Sequence, residues 1–313
     1  MKKLSKTWMW VLVMLPLLSC SQNATTQDKQ EQAPEQETSL GMNADSLQAR
    51  IDAEMAGQVA SQKAEIAIEA LSVIGETRNL LRLLAADKKQ EAIDEGHTLI
   101  GKFEVLLTKE PSLALLPVDV AFHQEETITD ISTLRTLIKD AEKAMNDGYY
   151  QVARNILADL KSEMVIESYF IPTATYPEAI KVAVALLEDD KPEEARAVLQ
   201  QVLLSIMIER TVVPLPVLKA EQMIIEAAGI DAENHDNAEQ VLTLLRNAHY
   251  QLQLAEEMGY GKKDKEYKEL YTAIKDLQKS VEKQQDSQPA FDALKEKIKA
   301  FRNRLFPYNK QKE

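Results

Sequence analysis

The stretch "LLEDDKPEEARAVL" (186–199) holds the pattern that decides the fold. An apolar helical segment ends in charged turn residues, and a second apolar helical face opens at Ala195. Pro192 suits the first turn of a helix, where Glu193 and Glu194 complement the positive end of the helix dipole. The stretch therefore predicts two helices joined by a tight turn.

Three further stretches repeat this pattern: "LLAADKKQEAI" (83–93), "AMNDGYYQVARNIL" (144–157) and "DAENHDNAEQVL" (231–242). Each opens its second helix with an alanine, Ala92, Ala153 or Ala238, whose small side chain lets two helices approach closely. The uneven spacing departs from the 34-residue period of tetratricopeptide repeats, whose sequence signature is also absent. We expect a mainly α fold of packed helical hairpins over about residues 60–260.

Segments rich in β-branched and aromatic residues follow three of these hairpins: "SLALLPVDVAF" (112–122), "SEMVIESYFIP" (162–172) and "IERTVVPLPV" (208–217). Each contains or ends in proline, which disfavours a helix and restricts the preceding residue to extended conformations. We favour buried extended connectors with some local strand pairing. The alternative is a small sheet, in which Pro214 and Pro216 would confine the third strand to an edge.

The C-terminal part predicts a pair of helices over about residues 264–306. Apolar residues recur there at alternating steps of three and four, which makes two seams. These seam residues are Tyr267, Leu270, Ile274, Leu277, Phe291, Leu294, Ile298 and Phe301. An antiparallel hairpin docked on the body is the plainer interpretation; an exposed seam that pairs with a second subunit is the alternative.

The N-terminus is typical of an exported lipoprotein. Lysines 2, 3 and 6 precede an apolar run (8–18) that is shorter than the roughly 20 residues needed to span a membrane as a helix. "LLSC" (17–20) resembles the lipobox of bacterial lipoprotein precursors, so we expect a signal peptide over residues 1–19 and lipidation of Cys20. An ordinary signal peptide with an incidental cysteine is the alternative. By analogy, Ser21 in place of aspartate favours the outer membrane, facing the periplasm.

Residues 20–46 hold Gln, Glu, Thr, Ser and Asn with almost nothing to bury, and we expect a disordered tether there. Residues 47–313 are then one helical domain. Cys20 is the only cysteine, so disulfides do not stabilise it. The net charge of −13, with basic residues spread along the helices, excludes nucleic acid as an expected partner.

No sequence motif indicates a catalytic site. The four histidines form no metal-ligand spacing, and the common hydrolase, nucleotide-binding and P-loop motifs are absent. We predict a non-enzymatic protein without catalytic residues, metal or cofactor.

The proline-flanked segments supply the candidate binding surface. Its residues are Tyr169, Phe170, Pro172, Tyr176, Val213, Pro214, Leu215 and Pro216. If they are partly exposed, they make an apolar patch of the kind that marks a partner or ligand site. The alternative is a buried core where helices meet irregular backbone.

Three stretches resemble the YfdX family of bacterial envelope proteins: "IPTATYPEAIKVAVALL" (171–187), "TVVPLPVLKAEQMIIEA" (211–227) and "AHYQLQLAEEMGYGKKDKEYKELYTAIKDL" (248–277). The likeness extends more loosely over residues 60–305. It implies a mainly helical, exported protein associated with stress responses, including the acid response, and a chaperone-like or ligand-binding role. It carries no catalytic residues.

Our leading functional hypothesis is therefore an envelope lipoprotein whose helical domain binds unfolded clients or its own copies during stress. Crowded carboxylates would have raised pKa values, which gives acid a physical route to alter assembly. The alternative function is a binder of an apolar or aromatic small molecule between helical hairpins.

Overall fold

The computed structural model describes residues 39–109, 111–231, 235–261 and 265–305; the predicted signal peptide and Cys20 lie outside them. The helices are α1 (Ala44–Ala64), α2 (Ile68–Leu71), α3 (Val73–Ala85), α4 (Lys89–Lys109), α5 (Ile131–Asn146), α6 (Tyr150–Ala158), α7 (Tyr176–Glu188), α8 (Pro192–Leu203), α9 (Leu215–Ala228), α10 (His235–Glu257), α11 (Lys265–Glu282) and α12 (Gln288–Leu305). The strands are β1 (Leu115–Glu126), β2 (Ser162–Pro172) and β3 (Met207–Pro214). The predicted mainly α fold is confirmed.

Four helix pairs follow the repeated turn pattern: α3–α4, α5–α6, α7–α8 and α9–α10. Ala92 and Ala195 are completely buried where the second helix approaches the first, and Ala153 is nearly so. Ala238 is only partly buried. The small side chain therefore serves close helix packing in three of the four pairs.

A single antiparallel sheet joins the hairpins, with β2 at its centre and β1 and β3 at its edges. The favoured prediction of connectors with local pairing is wrong, because the three segments pair along most of their length. Val120, Met164 and Val213 are buried on one sheet face, which packs on helices and makes the pairing favourable. Pro214 ends the edge strand β3, as the sheet alternative predicted, whereas Pro216 lies in α9. The register of β1 shifts between Pro117 and Asp119.

Helices α3, α4, α7 and α8 pack as a four-helix group, with α3 on α4 and α8, and α7 on α4 and α8. Gly96 in α4 provides the closest approach, because a Cβ there would clash with Val184 Cγ2 in α7. The rings of Phe103 and Tyr176 lie 5.7 Å apart in the same interface. Two non-adjacent hairpins are thus joined into one core.

Helix α9 organises the rest of the molecule. It contacts α1, α10, α12 and the sheet, and ten of its 14 residues are buried. Helices α11 and α12 pack on each other; α11 also contacts α10, and α12 contacts α9. The C-terminal pair is therefore an internal hairpin docked on α9 and α10.

Order begins earlier than the sequence predicts. Residues 39–46 fall in the predicted tether, yet Asn247 Nδ2 donates to the Ser39 carbonyl at 2.8 Å and Gln240 Nε2 donates to the Gly41 carbonyl at 2.9 Å. Asn43 then caps α1 by accepting a hydrogen bond from the Ser46 amide. Within the described residues, no helix is both long and apolar enough to cross a membrane.

Candidate functional site

The segment predicted as a binding surface lies largely in the core. Tyr176, Val213, Leu215, Pro214 and Pro216 are buried, and only Tyr169, Phe170 and Pro172 are partly exposed. Tyr176 is completely enclosed, and its hydroxyl donates to Thr77 Oγ1 at 3.0 Å. Tyr176, Val213 and Leu215 are part of the main hydrophobic core, so these residues do not form the expected apolar patch.

The predicted oligomer seams are also internal. All eight seam residues are 2% exposed or less, and the Tyr267 and Phe301 rings meet edge to face at 4.8 Å. The apolar face of each helix is covered by its hairpin partner and by α9 and α10. The structure thus has the plainer of the two predicted arrangements, and the seams are closed to a second subunit.

An apolar surface instead lies on the α5–α6 hairpin. Met145, Tyr149, Tyr150 and Leu157 are 49%, 64%, 68% and 48% exposed. We call these four residues the hairpin surface. Three of them, Met145, Tyr150 and Leu157, line an open groove of about 500 Å³ together with Ala153, Arg154 and Ala158.

Local sequence explains why the hairpin turns where it does. Asp130 caps α5 by accepting the Thr133 amide at 2.8 Å. Gly148, with φ of +81°, takes the left-handed conformation that ends α5 and reverses the chain. Ala144 and Ala153 are buried between the two helices, which leaves the larger apolar side chains outside.

The base of the hairpin is fixed to α10. The Ile131 amide donates to the Tyr250 hydroxyl at 3.0 Å, and Arg135 forms two hydrogen bonds with the Glu257 carboxylate at 2.6 and 2.8 Å. The buried residues of α5 and α6 are not part of the main hydrophobic core. The start of α5 is therefore tied to α10, while the hairpin's buried residues lie outside the main core.

A buried charge cluster joins α1, α9 and α12. Arg302, which has a 3% exposed side chain, donates through Nη1 to Glu221 at 2.7 Å and also to Glu54. Gln222 Nε2 donates to Glu54 at 2.9 Å. Burial raises the pKa of Glu221 to about 7, since attraction by Arg302 offsets only part of the desolvation and Glu54 adds repulsion.

A second cluster lies on the polar face of the sheet. Glu125 accepts from Lys161 at 2.7 Å and from Arg210 at 3.0 Å, and His123 Nε2 lies 3.0 Å from the same carboxylate. The Lys161 hydrogen bond, then His123, lower the pKa of Glu125 to about 2. Arg210 also pairs with Glu167, so the cluster ties all three strands together. Its carboxylate is ionised at neutral pH and acts as a structural tie.

The three described histidine side chains, His97, His123 and His249, each contact a different partner. His97 Nε2 lies 3.0 Å from an exposed Glu188 carboxylate, and the His249 ring packs against Tyr271 at a 55° tilt, with ring centroids 4.7 Å apart. Burial lowers the pKa of His249, which favours its neutral form. The side chain of His235 lies outside the described residues. In the part of the chain that is described, no group of three His, Cys, Asp or Glu side chains could hold a metal ion.

The stretch "AMNDGYYQVARNIL" (144–157), which predicts a turn between helices, also carries the hairpin surface, and no sequence pattern considered above predicts this surface. The available signal was two adjacent tyrosines beside a glycine turn, where polar residues are usual. Side chains at a turn between two helices usually lie at the surface, so two tyrosines there predict exposed aromatic rings.

Residues 73–212 match the model of the family described as YfdX protein, which confirms the resemblance over that part of the chain. This region runs from the start of α3 into β3 and includes the α5–α6 hairpin. Among solved structures, the chain is similar to a crystal structure of YfdX from Salmonella Typhi, at 15% identity and a TM-score of 0.33, over 48% of this chain and 93% of that chain. None of the curated proteins matches this sequence.

Proposed function

We propose that this chain, which carries a YfdX region at residues 73–212, is a non-enzymatic lipoprotein of the cell envelope that binds unfolded proteins during stress. The hairpin surface is its binding site. The partners are apolar segments of envelope proteins that have lost their fold. This is a chaperone-like function, with the acid response as one setting.

The observation that supports this proposal is the exposure of five large apolar side chains on one hairpin, the four of the hairpin surface and Val152. Exposed apolar residues scattered singly need no explanation, but a cluster beside a groove marks an interaction site. Met145 suits such a role because its flexible thioether side chain adapts to different partners. Tyr149 and Tyr150 present large apolar rings with a polar tip, which suits a surface that is wet when unoccupied.

Lipidation of Cys20 would hold this site beside the membrane, on the periplasmic side of the outer membrane. The lipobox stretch and the polar residues that follow it support this location. We expect a Cys20→Ser chain to lose its acyl groups and to leave the membrane fraction. A Cys20→Ser chain that stays membrane-bound in full would contradict the anchor.

The test uses the full chain on lipid nanodiscs, with aggregation of an unfolding model client followed by light scattering. A Leu157→Lys variant places a charge in the groove, and a lysine near a helix C-terminus does not oppose the helix dipole. Val152→Lys is the matched control, because Val152 is 51% exposed on the same helix but does not line the groove. We expect Leu157→Lys to lose most of the protection and Val152→Lys to keep it.

If Leu157→Lys and Val152→Lys protect the client from aggregation equally well, the hairpin surface is not the client-binding site. No protection by the parent chain, at neutral or mildly acidic pH, would overturn the proposed function itself. Thermal stability of each variant, measured in parallel, separates a lost site from a lost fold.

The alternative function, binding of an apolar or aromatic small molecule, draws support from the groove itself. The groove is open and its lining is mainly apolar, with Met145, Tyr150 and Leu157 among the lining residues, which suits an apolar or aromatic ligand. Saturable thermal stabilisation by one ligand class, lost in Leu157→Lys, would favour this alternative over a protein client.

A further inference from the structure

The two edge strands of the sheet differ in what surrounds them. Helices α1 and α2 contact β1, its register shifts between Pro117 and Asp119, and Lys63 pairs with Asp119 at 2.9 Å. Strand β3 pairs with β2 from Met207 to Pro214 without a shift, and it packs chiefly on α9, the helix that follows it. Bulges, prolines and covering elements keep an edge strand from pairing further. Strand β1 has all three, whereas β3 has a proline only at its end.

The first half of β3 is open to solvent. The side chains of Met207, Ile208, Glu209 and Arg210 are all exposed, the first two by 50% and 52%. In an antiparallel strand, the N–H and C=O of every second residue point away from the paired neighbour. In the described part of the chain, no group outside the sheet forms a hydrogen bond with the backbone of Met207–Val213. The outer edge therefore offers backbone donors and acceptors to a further extended segment.

The exposed side chains of β3 indicate which segment would fit. Side chains alternate between the two sheet faces, so Met207 and Glu209 lie on one face and Ile208 and Arg210 on the other. The Arg210 guanidinium already pairs with two carboxylates of its own sheet, at 3.0 and 3.2 Å. No described group forms an ion pair or hydrogen bond with the Glu209 carboxylate. An added strand would thus meet two apolar side chains and one unpaired negative charge.

We propose that the outer edge of β3 at Met207–Arg210 binds an extended segment of another protein, which adds a fourth strand to the sheet. The segment has apolar residues on both sides of a lysine or arginine, because the basic side chain then faces Glu209 across the two strands. Main-chain hydrogen bonds supply the affinity, and the alternating side chains supply the specificity. The net charge of −13 also attracts a basic segment.

This inference goes beyond the proposed function, because it concerns a different surface and does not require that the hairpin surface bind clients. A second copy of this chain fits the edge less well than a basic segment does. Pairing of two such short exposed stretches would bring the two Glu209 carboxylates close together, and like charges on adjacent strands are unfavourable.

The test measures binding of fluorescein-labelled peptides to the full chain by fluorescence anisotropy. The first peptide has seven residues, with valine on each side of a central lysine and threonine and serine outside. The second has glutamate in place of the lysine. The third is the lysine peptide with N-methyl groups on its three central backbone amides, which removes the donors that strand pairing needs and keeps the side chains.

We expect the parent chain to bind the lysine peptide roughly threefold tighter than the glutamate peptide, as an exposed charge pair allows, and roughly tenfold tighter than the N-methylated peptide. A Glu209→Lys variant should prefer the glutamate peptide. Glu282→Lys is the matched control, since it changes the net charge equally at an exposed position on α11, and it should keep the preference of the parent chain. Hydrogen exchange of residues 207–213 should slow when the lysine peptide is added.

Four results would overturn the inference. They are no binding of any peptide, equal binding of the N-methylated peptide, an unchanged preference in Glu209→Lys, and a reversed preference in Glu282→Lys as well. Exchange in the free chain identifies other occupants of the edge, which would also contradict the proposal. Protection of residues 207–213 that falls on dilution would show a second copy there, and complete protection at every concentration would show a segment of the same chain.

Discussion

A single buried arginine shared by two carboxylates is the least ordinary residue-scale feature of this protein. Arg302 on α12 contacts Glu221 on α9 and Glu54 on α1, and Lys299 is the other basic group close enough to attract Glu221. Burial penalises the charged form of Glu221, repulsion by Glu54 adds to this penalty, and attraction by Arg302 and Lys299 offsets only part of it. A proton on Glu221 removes the penalty.

This cluster predicts a pH dependence of stability with a definite sign. Because the pKa of Glu221 rises from 4.5 to about 7 on folding, the folded state binds the proton more tightly than the unfolded state. Its contribution to stability is complete below pH 4.5 and is lost as the pH rises through 7, by roughly 3 kcal/mol in all. We expect Glu221→Gln to abolish this slope and to be at least as stable as the parent chain at pH 8, measured by urea unfolding between pH 5 and 8.

Glu226→Gln is the matched control, since Glu226 lies on the same helix and pairs with Arg50 at 2.5 Å with a partly exposed side chain. This variant should keep the slope of the parent chain. A Glu221→Gln protein that is strongly destabilised at pH 8, with the slope intact, would show that Arg302 and Glu221 act as a stabilising ion pair.

Tyr176 illustrates why residue type alone misplaced the binding surface. It stands between prolines in a segment that looks irregular, and irregular segments usually lie on the surface. Its burial depends on Thr77 and Phe103, about 99 and 73 positions away in the chain, which supply a hydrogen-bond partner and a ring contact. The residues that neighbour Tyr176 in the sequence therefore do not show that it is buried.

At the scale of elements, the packing of α4 on α7 leaves no room for a side chain at position 96. Gly96 lies against Val184, whose branched side chain has little rotamer freedom. Gly101, on the same helix, has no atom within 4 Å of the Cβ that a substitution would add. The two glycines thus differ in surroundings while sharing a helix.

Alanine substitution should separate these two positions. Gly96→Ala is expected to destabilise the protein by about 1–3 kcal/mol, because the added methyl group overpacks the interface. Gly101→Ala should instead stabilise it by about 0.5–1 kcal/mol, since alanine is the better helix former. Free energies of unfolding from denaturant titration would measure both; equal stabilisation would mean that α7 moves aside at little cost.

At the scale of the whole molecule, stability is unevenly distributed. Helix α9 lies among α1, α10, α12 and the sheet, whereas α6 packs chiefly on α5 and buries only Ala153. Segments with few buried contacts open at lower free energy than the core. The candidate binding site therefore belongs to a part of the fold that is expected to open more readily than α9.

Hydrogen exchange should report this difference directly. Backbone amides of α6 are expected to exchange at least tenfold faster than those of α9 in the full chain at neutral pH. Mass spectrometry of peptides from the two helices provides the measurement. Equal protection would mean that the hairpin opens only with the whole domain, and that its surface is presented on a rigid element.

The sequence by itself determined the helical hairpins, their turns, the C-terminal helix pair and the resemblance to YfdX. These features depend on periodicity, proline geometry and small residues at turns, which act over a few neighbouring positions. Tertiary structure alone decided that the three extended segments form one sheet, that the candidate binding residues and seams are buried, and that Met145, Tyr149, Tyr150 and Leu157 are exposed. Strand pairing and burial depend on contacts between residues far apart in the chain, and an apolar residue has the same local pattern whether a distant helix covers it or not.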